Sequence, residues 1–274
     1  MATLKEVLRN KLNKKELSLL KTSYDIVGDI AIVEIPYGLG KKEKLIGETI
    51  LKNHKNIKVV CKKAGIHSGR YRLQKLKVIA GEKRKETIYK ENNVELKLNP
   101  EEVYFSVRLS TERKRVAKLV RKGEQVLVMF SGVAPYPVVI AKNSKAAYIC
   151  GVELNKKAHE YALENLKLNK TKNVAIFQGD VKKVVPKLYK VFDRIIMPLP
   201  KGAENYLGVA LKAARKGTMI HLYMFLQDKE IAEAKDMIKE ICKVNAKTIK
   251  IVNTEKCGQY APYTYRVCFD IRIM

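Results

Sequence analysis

Two apolar runs, Gln125-Val-Leu-Val-Met-Phe130 followed by Ser131-Gly132, and Ala146-Ala-Tyr-Ile-Cys-Gly-Val152 ending in Glu153, decide the fold. Both are short and continuously apolar, as strands buried on both faces of a parallel sheet are. Between them Val133-Ala134-Pro135 opens a helix-like segment. Strand, turn, helix, strand is the mononucleotide-binding half of a doubly wound fold, whose ligands lie at the carboxyl ends of the strands. Gly132 lets a ligand approach the backbone closely, and Glu153, about 20 residues further on, stands where a ribose diol needs a hydrogen-bond acceptor. That points to an adenosyl or dinucleotide ligand. Plain architecture stays open, since the spacing is not G-x-G-x-x-G.

Downstream the alternation continues. A helix over 156–170 precedes a strand over 174–177 that runs into Gly179-Asp180, where Asp180 either meets an adenine amino group or caps the next segment. The fourth strand, Phe192-Asp-Arg-Ile-Ile-Met197, meets the loop Pro198-Leu-Pro-Lys-Gly202, and a helix over 203–215, a strand over 219–225 and a helix over 228–244 follow. The last strand-like segments, 247–253 and 265–273, are too close for a helical crossover and must pair as an antiparallel hairpin at the sheet edge. A terminal antiparallel hairpin on an otherwise parallel sheet is the arrangement of class I (Rossmann-like) methyltransferases.

Upstream, a lead-in helix over 3–20 capped by Thr3 precedes short strand-like tracts at 24–36, 57–61, 71–80, 86–90 and 93–98, with a helix over 42–52. These make a small α+β domain, so the chain is expected to divide into 1–99 and 100–274 near Pro100, where the period turns helical. A helix capped at Ser110 or Thr111 opens the second domain. In it Arg108 and Glu112 are four apart: a local salt bridge, or a carboxylate held beside a cation where it can take a proton.

The 274 residues are 46% hydrophobic, enough for a real core, and carry a formal charge of +27. Such a field attracts polyanions; the alternative is a lysine-rich bias that demands no partner. The loop from Lys62 to Arg72 concentrates this charge, with Lys62 and Lys63 suited to phosphates and Arg70 or Arg72 offering a planar fork to a base or phosphate. A solvated turn is the plainer account. Five separate cysteines and four scattered histidines show no zinc spacing and no disulfide framework, as in a cytosolic protein. No signal segment is visible, and no apolar run reaches the roughly 18 residues a membrane span needs.

Several motifs converge on one family. Ser68-Gly-Arg-Tyr-Arg72, Ile79-Ala-Gly-Glu82, Glu86-Thr-Ile88, Lys90-Glu-Asn92, Val103-Tyr-Phe-Ser106 and Arg108-Leu-Ser-Thr-Glu-Arg113 are joined by Met129-Phe-Ser-Gly-Val133, Glu164-Asn-Leu-Lys-Leu-Asn169, Asp193-Arg-Ile-Ile-Met197 and Tyr260-Ala-Pro262. With them the chain resembles the archaeal and eukaryotic tRNA (guanine-N1)-methyltransferases that modify the purine 3′ of the anticodon, and the related wyosine-pathway transferases, over roughly residues 22–274.

The resemblance implies methyl transfer from S-adenosyl-L-methionine to N1 of guanosine 37 of tRNA, with Glu112 as general base, Arg72 at the guanine O6 and Pro198 in the acceptor loop. It places the donor among Phe105, Arg108, Met129, Phe130, Ser131, Gly132, Glu153, Asp180, Val181 and Pro198. RNA contacts fall to Lys62, Lys63, Arg70, Arg72, Arg113 and Arg115. A cytoplasmic monomer needing no metal and touching no membrane is expected, with a basic cleft between the domains reading a splayed-out base. The family's glycine loop begins with Asp where this chain has Val128, and Ala134 replaces its second glycine. Pro198 stands where the methyltransferases have Asn, and the large N-terminal domain of many members is missing or reduced to the lead-in helix. Two alternatives follow: transfer of an aminocarboxypropyl group to a wyosine precursor, or a degenerate tRNA-binding subunit.

Overall fold

The computed structural model describes residues 3–66, 69–188 and 190–274. The chain forms two compact units: residues up to Lys90 together with Glu95–Val107, and Glu91–Val94 together with Arg108–Met274. The division thus lies at Val107 and not at Pro100. Glu101 accepts from the Leu76 N–H (2.8 Å) and the Lys85 ammonium (2.6 Å), and Val103 is buried, so this stretch stays with the first unit. Glu91–Val94 goes with the second because the Glu91 carboxylate takes two 2.5 Å hydrogen bonds from the Arg113 guanidinium, and the Asn92 amide donates to the Ser110 carbonyl.

In the first unit, reciprocal hydrogen bonds between Thr3 and Glu6 start α1 (Leu4–Leu8), and the same box between Asn13 and Glu16 starts α2 (Lys14–Leu19). The single lead-in helix expected over 3–20 is therefore two, since the Asn13 cap begins a new one. The tract 24–36 is not one strand but a hairpin, β1 (Asp25–Val27) and β2 (Ile30–Val33), turned at Gly28. Helix α3 (Glu43–Asn53) lays Ile46 and Ile50 against the sheet. Strand β3 (Val59–Lys63) runs parallel to β2, and β4 (Leu76–Gly81) antiparallel to β3, giving the order β1-β2-β3-β4. Gly81 sits at φ 86°, and a Cβ there would lie 2.0 Å from the Lys58 carbonyl oxygen, which explains the glycine of the Ile79-Ala-Gly-Glu82 motif. Strands β5 (Thr87–Glu91) and β6 (Val94–Leu98) pair with each other.

In the second unit α4 (Ser110–Leu119) starts directly at Ser110, after Leu109, without the Ser or Thr side-chain cap expected. Then come β7 (Gln125–Met129), α5 (Pro135–Asn143), β8 (Tyr148–Glu153), α6 (Lys156–Leu168), β9 (Val174–Gln178), α7 (Val181–Lys187), β10 (Phe192–Met197), α8 (Leu207–Lys212), β11 (Ala214–Leu226), α9 (Ile231–Val244), β12 (Ile249–Ala261) and β13 (Thr264–Ile273). Among the described residues seven strands form one sheet, in the order β12-β13-β11-β10-β7-β8-β9. Strands β7 to β11 are parallel, and β13 and β12 close the edge antiparallel. This is the class I methyltransferase fold, preceded by the small α+β unit. The final hairpin is longer than expected: most of 257–263 is strand, because the ladder continues to Ala261 opposite Thr264. Helices α7, α8 and α9 bury Leu127, Met129, Ile195, Met197, Ile220 and Phe269 on one face, and the intervening Val126, Val128 and Ile196 are buried on the other, so the parallel strands read as continuous apolar runs.

The Glu91–Arg113 pair is sealed, with both side chains 2% exposed. Removing one partner of such a pair leaves the other without that compensation inside protein, at a cost of about 3–5 kcal/mol. Glu91→Ala should therefore lower the unfolding free energy by that amount in urea titration. The double variant Glu91→Leu with Arg113→Met should lose much less.

Candidate active site

The chain reverses its direction of build between β7 and β10, so the carboxyl ends of β7 and β8 open on the crevice where ligands bind in such sheets. The loop leaving β7 takes left-handed backbone at alternate residues, with φ 57° at Phe130, 57° at Gly132 and 65° at Ala134. Ala134 thus adopts the conformation that the family's glycine would supply, at a steric cost of about 1–2 kcal/mol. Val128 is fully buried in β7, where an apolar side chain needs no partner. The loop is pinned from two sides. Ser131 N–H donates to the Val152 carbonyl (2.9 Å), and the buried Asn165 amide of α6 donates to the Val133 carbonyl (3.0 Å).

Glu153 at the end of β8 completes this half. One carboxylate oxygen accepts from Gly132 N–H and the other from Asn155 N–H, both at 2.7 Å. Burial pushes its pKa up, and the backbone hydrogen bonds from Asn155 and Gly132 only partly offset this. A carboxylate fixed by two backbone donors keeps further lone pairs for two hydroxyls, which fits a ribose diol. Phe130 meets Tyr206 edge-on, ring centroids 5.0 Å apart, and forms one wall beside the loop. The Ser131 side chain is buried, and its hydroxyl has no hydrogen-bond partner among the described residues. It lies against Gly151 of β8, so Ser131 would meet a ligand through its backbone only. Asp180 caps α7 by accepting from Lys182 N–H (2.9 Å), which is the plainer of its two expected roles, and the Val181 side chain is buried.

On α4 the Glu112 carboxylate is 4% exposed and accepts from three donors. These are the Tyr223 hydroxyl at 2.5 Å and the Arg115 guanidinium at 2.7 and 2.8 Å. Tyr136 donates in turn to the Tyr223 oxygen (3.0 Å). Arg115 also reaches Asp270 of β13 (2.8 Å), and Asp270 faces His221 of β11 at 2.6 Å. Burial drives the His221 pKa down against the pull of Asp270, so the imidazole is neutral at pH 7, donating from Nδ1 to Asp270 and accepting at Nε2 from Arg194 (2.7 Å). Burial alone would raise Asp270, but hydrogen bonds from His221 and Arg115 outweigh it and hold the carboxyl well below its ordinary range. Arg194 ends the chain on Glu124. Ligand atoms of His221, Cys268 and Asp270 come within 4.8 Å of one another. Both imidazole nitrogens are already engaged and two guanidinium groups adjoin them, so the donor set serves a hydrogen-bonded network.

Arg113, expected at RNA, is instead 1% exposed on Glu91, and Arg115 is paired with Glu112 and Asp270. The Arg113 guanidinium, buried in its ion pair, is closed to a phosphate. Lys62 is tied to Glu43 at 2.5 Å. Arg70 is exposed, while Arg72 takes φ 53° in a turn closed by its N–H on the Gly69 carbonyl (3.1 Å) and by the Gln74 amide on the Gly65 carbonyl (2.8 Å). His67 and Ser68 of this loop lie outside the described residues. Phe105 packs edge-on against Tyr89 in the first unit, and Arg108 is exposed in the 3-10 turn before α4. Pro198 opens the loop after β10, which is tethered by the Phe225 N–H to the Pro200 carbonyl (3.0 Å). Sequence reading missed Tyr223 and Asp270 altogether. No helix among the described residues is long and apolar enough to cross a membrane.

Residues 87–252 match the TRM5/TYW2 methyltransferase domain, and residues 4–84 match the TYW2 N-terminal domain. The chain is 39% identical to the Pyrococcus abyssi tRNA (guanine(37)-N(1))-methyltransferase Trm5b over 93% of its own length and 76% of that protein's. It is 36% identical to the Nanoarchaeum equitans tRNA (guanine(37)-N(1))/4-demethylwyosine(37)-methyltransferase Taw22, over 92% of this chain and all of that one. Among solved structures, that of aTrm5 in complex with tRNALeu superposes with a TM-score of 0.87 at 31% identity, covering all of this chain and 78% of that one.

A fixed Glu153 that binds hydroxyl donors must be ionised to do so in full. Because its pKa is raised, acidification should protonate it at a higher pH than an exposed glutamate, and affinity for S-adenosyl-L-methionine should fall as pH falls through that value. Glu153→Gln should bind about 10- to 100-fold more weakly at neutral pH, the worth of charge-assisted hydrogen bonds. Its calorimetric titration should lack the acid limb.

Proposed function

The chain belongs to the TRM5/TYW2 methyltransferase family, and from that premise we propose that it transfers the methyl group of S-adenosyl-L-methionine to N1 of guanosine 37 in tRNA. The observation that carries the chemistry is a single buried carboxylate, Glu112, oriented by Tyr223 and Arg115 in the unit that also holds the Gly132–Glu153 donor loop. Guanine N1 is a poor nucleophile while protonated. In this reading Glu112 takes the N1 proton as the methyl arrives, and Arg72 stabilises the charge that grows on O6. Glu153 and the backbone of 130–132 hold the donor in line, which converts a bimolecular encounter into an oriented one. When bound, the donor's sulfonium supplies both the methyl group and its own leaving group, so no Lewis acid is required. The +27 charge, with Lys63 and Arg70 among its contributors, draws the polyanionic substrate. We take the enzyme to work as a cytoplasmic monomer, with the first unit contributing RNA contacts.

A second acceptor has specific support. A relative of similar identity is named for both guanine and 4-demethylwyosine, and Pro198 lacks the amide of the expected Asn. Incubation with methyl-labelled donor and unmodified tRNA transcripts, followed by nucleoside mass spectrometry, tests the main reading. It should yield 1-methylguanosine at position 37. Transfer only to tRNA carrying 4-demethylwyosine would replace this reading with the second, and donor binding without transfer to either would overturn both.

Glu112→Gln should lower kcat by about 10² to 10⁴-fold with donor affinity intact, as loss of a general base does. A near-normal rate would leave Glu112 a structural partner of Arg115. Arg72→Ala should cut kcat by about 10²-fold. Its tRNA affinity should change by no more than about threefold, since one cation of many contributes little to overall binding.

A further inference from the structure

The sheet divides its two tasks by strand order. Donor-loop residues lie at the carboxyl ends of β7 and β8, while β10, β11 and the β12–β13 hairpin continue on the other side of the reversal. On that second side the strands end in aromatic rings. Strand β11 runs parallel to β10 with Met197 opposite Leu222, and Phe225 lies three residues further along. Its N–H donates to the Pro200 carbonyl, so Phe225 borders the loop that Pro198 opens. Tyr260, near the end of β12, stacks on Phe225 with ring centroids 3.9 Å apart and an interplanar angle of 23°. The Arg266 guanidinium stands 5.1 Å from the centre of the Phe225 ring.

One face of Tyr260 is covered by Phe225, yet the residue remains 63% exposed, so its other face is open to solvent. We propose that Tyr260, held flat by Phe225, is a stacking platform for an unpaired nucleobase of the anticodon loop next to the methyl acceptor. This rests on the tRNA substrate proposed above and adds a contact that neither the donor loop nor Glu112 provides. A base taken out of its stack leaves its neighbours without a partner, and an aromatic side chain beside the acceptor loop replaces the lost surface whatever the base. A ring already packed against a second ring loses little freedom on binding. An RNA base is a better occupant than an apolar peptide here, because the protein carries +27 and Lys256 stands over the neighbouring Tyr265 ring at 4.6 Å.

The test is steady-state methyl transfer by the full chain to an unmodified transcript containing guanosine 37. Tyr260→Ala should raise KM for tRNA about 10- to 100-fold, the worth of one base on one aromatic ring, with kcat at saturating tRNA and donor affinity within about twofold of the parent. Tyr260→Trp, which keeps a broad π face, should bring KM back to within about threefold. An unchanged KM in Tyr260→Ala would overturn the platform, and so would a Trp variant as poor as the Ala variant. If Tyr260 merely shields Phe225, the Ala variant melts lower while its KM stays put, which also overturns it. Absence of methylguanosine with the parent enzyme is a separate result and counts against the proposed reaction itself.

Discussion

Charges buried inside the second unit have to be paired, and the pairing they adopt runs in one line from Glu112 through Arg115, Asp270, His221 and Arg194 to Glu124. After the first, within α4, each link joins two elements: α4 to β13, β13 to β11, β11 to β10, and β10 to the segment before β7. His221 and Asp270 are direct partners in the β11–β13 ladder. A one-residue slip of that strand would turn Asp270 to the opposite face, leaving Arg115 with Glu112 alone and the buried His221 Nδ1 without its acceptor. The antiparallel edge is thereby held in register by electrostatics as well as by apolar packing. Glu112 inherits its aim from this, since Arg115 is fixed at its other end by Asp270.

The same line explains what the sequence disclosed and what it hid. Two apolar runs and an acidic strand end were enough to place β7, α5 and β8 with the turn between them, because buried parallel strands leave a local pattern, and Glu153 accepts from Gly132 of that turn. The spacing of the last two strands gave the edge hairpin for the same reason. Arg113 was misplaced because charge is legible in sequence and burial is not. The signal was nonetheless present: Leu109, Val116, Ala117 and Val120 form an apolar stripe at helical spacing, and 112 and 113 fall within it. Tyr223 and Asp270 carry no such mark. They meet Glu112 and Arg115 only across strands more than a hundred residues distant in the chain.

Two of the departures from the family pattern have a local physical account. Ala134 holds left-handed backbone without glycine, because Asn165 on α6 and Val152 on β8 fix the loop to either side of it. Val128 replaces an acidic residue within a strand whose neighbours are all apolar and buried, so nothing there is left unsatisfied. Pro198 differs in kind. It opens the loop after β10, on the other side of the strand reversal from the Gly132–Glu153 pair, and no packing or hydrogen bond among the described residues around it explains the replacement.

Strong surface charge and a buried carboxylate also divide the labour by range. The field of a +27 chain acts over about a Debye length, roughly 8 Å in physiological salt, and is screened as ionic strength rises. Glu112, 4% exposed and paired at short distance, is largely shielded from that screening. Salt therefore weakens the encounter with a polyanion while leaving the pairing of Glu112 as it was. The lysines can be numerous and individually dispensable, whereas the few groups around Glu112 cannot, because each of them holds a buried hydrogen-bonding group of the next.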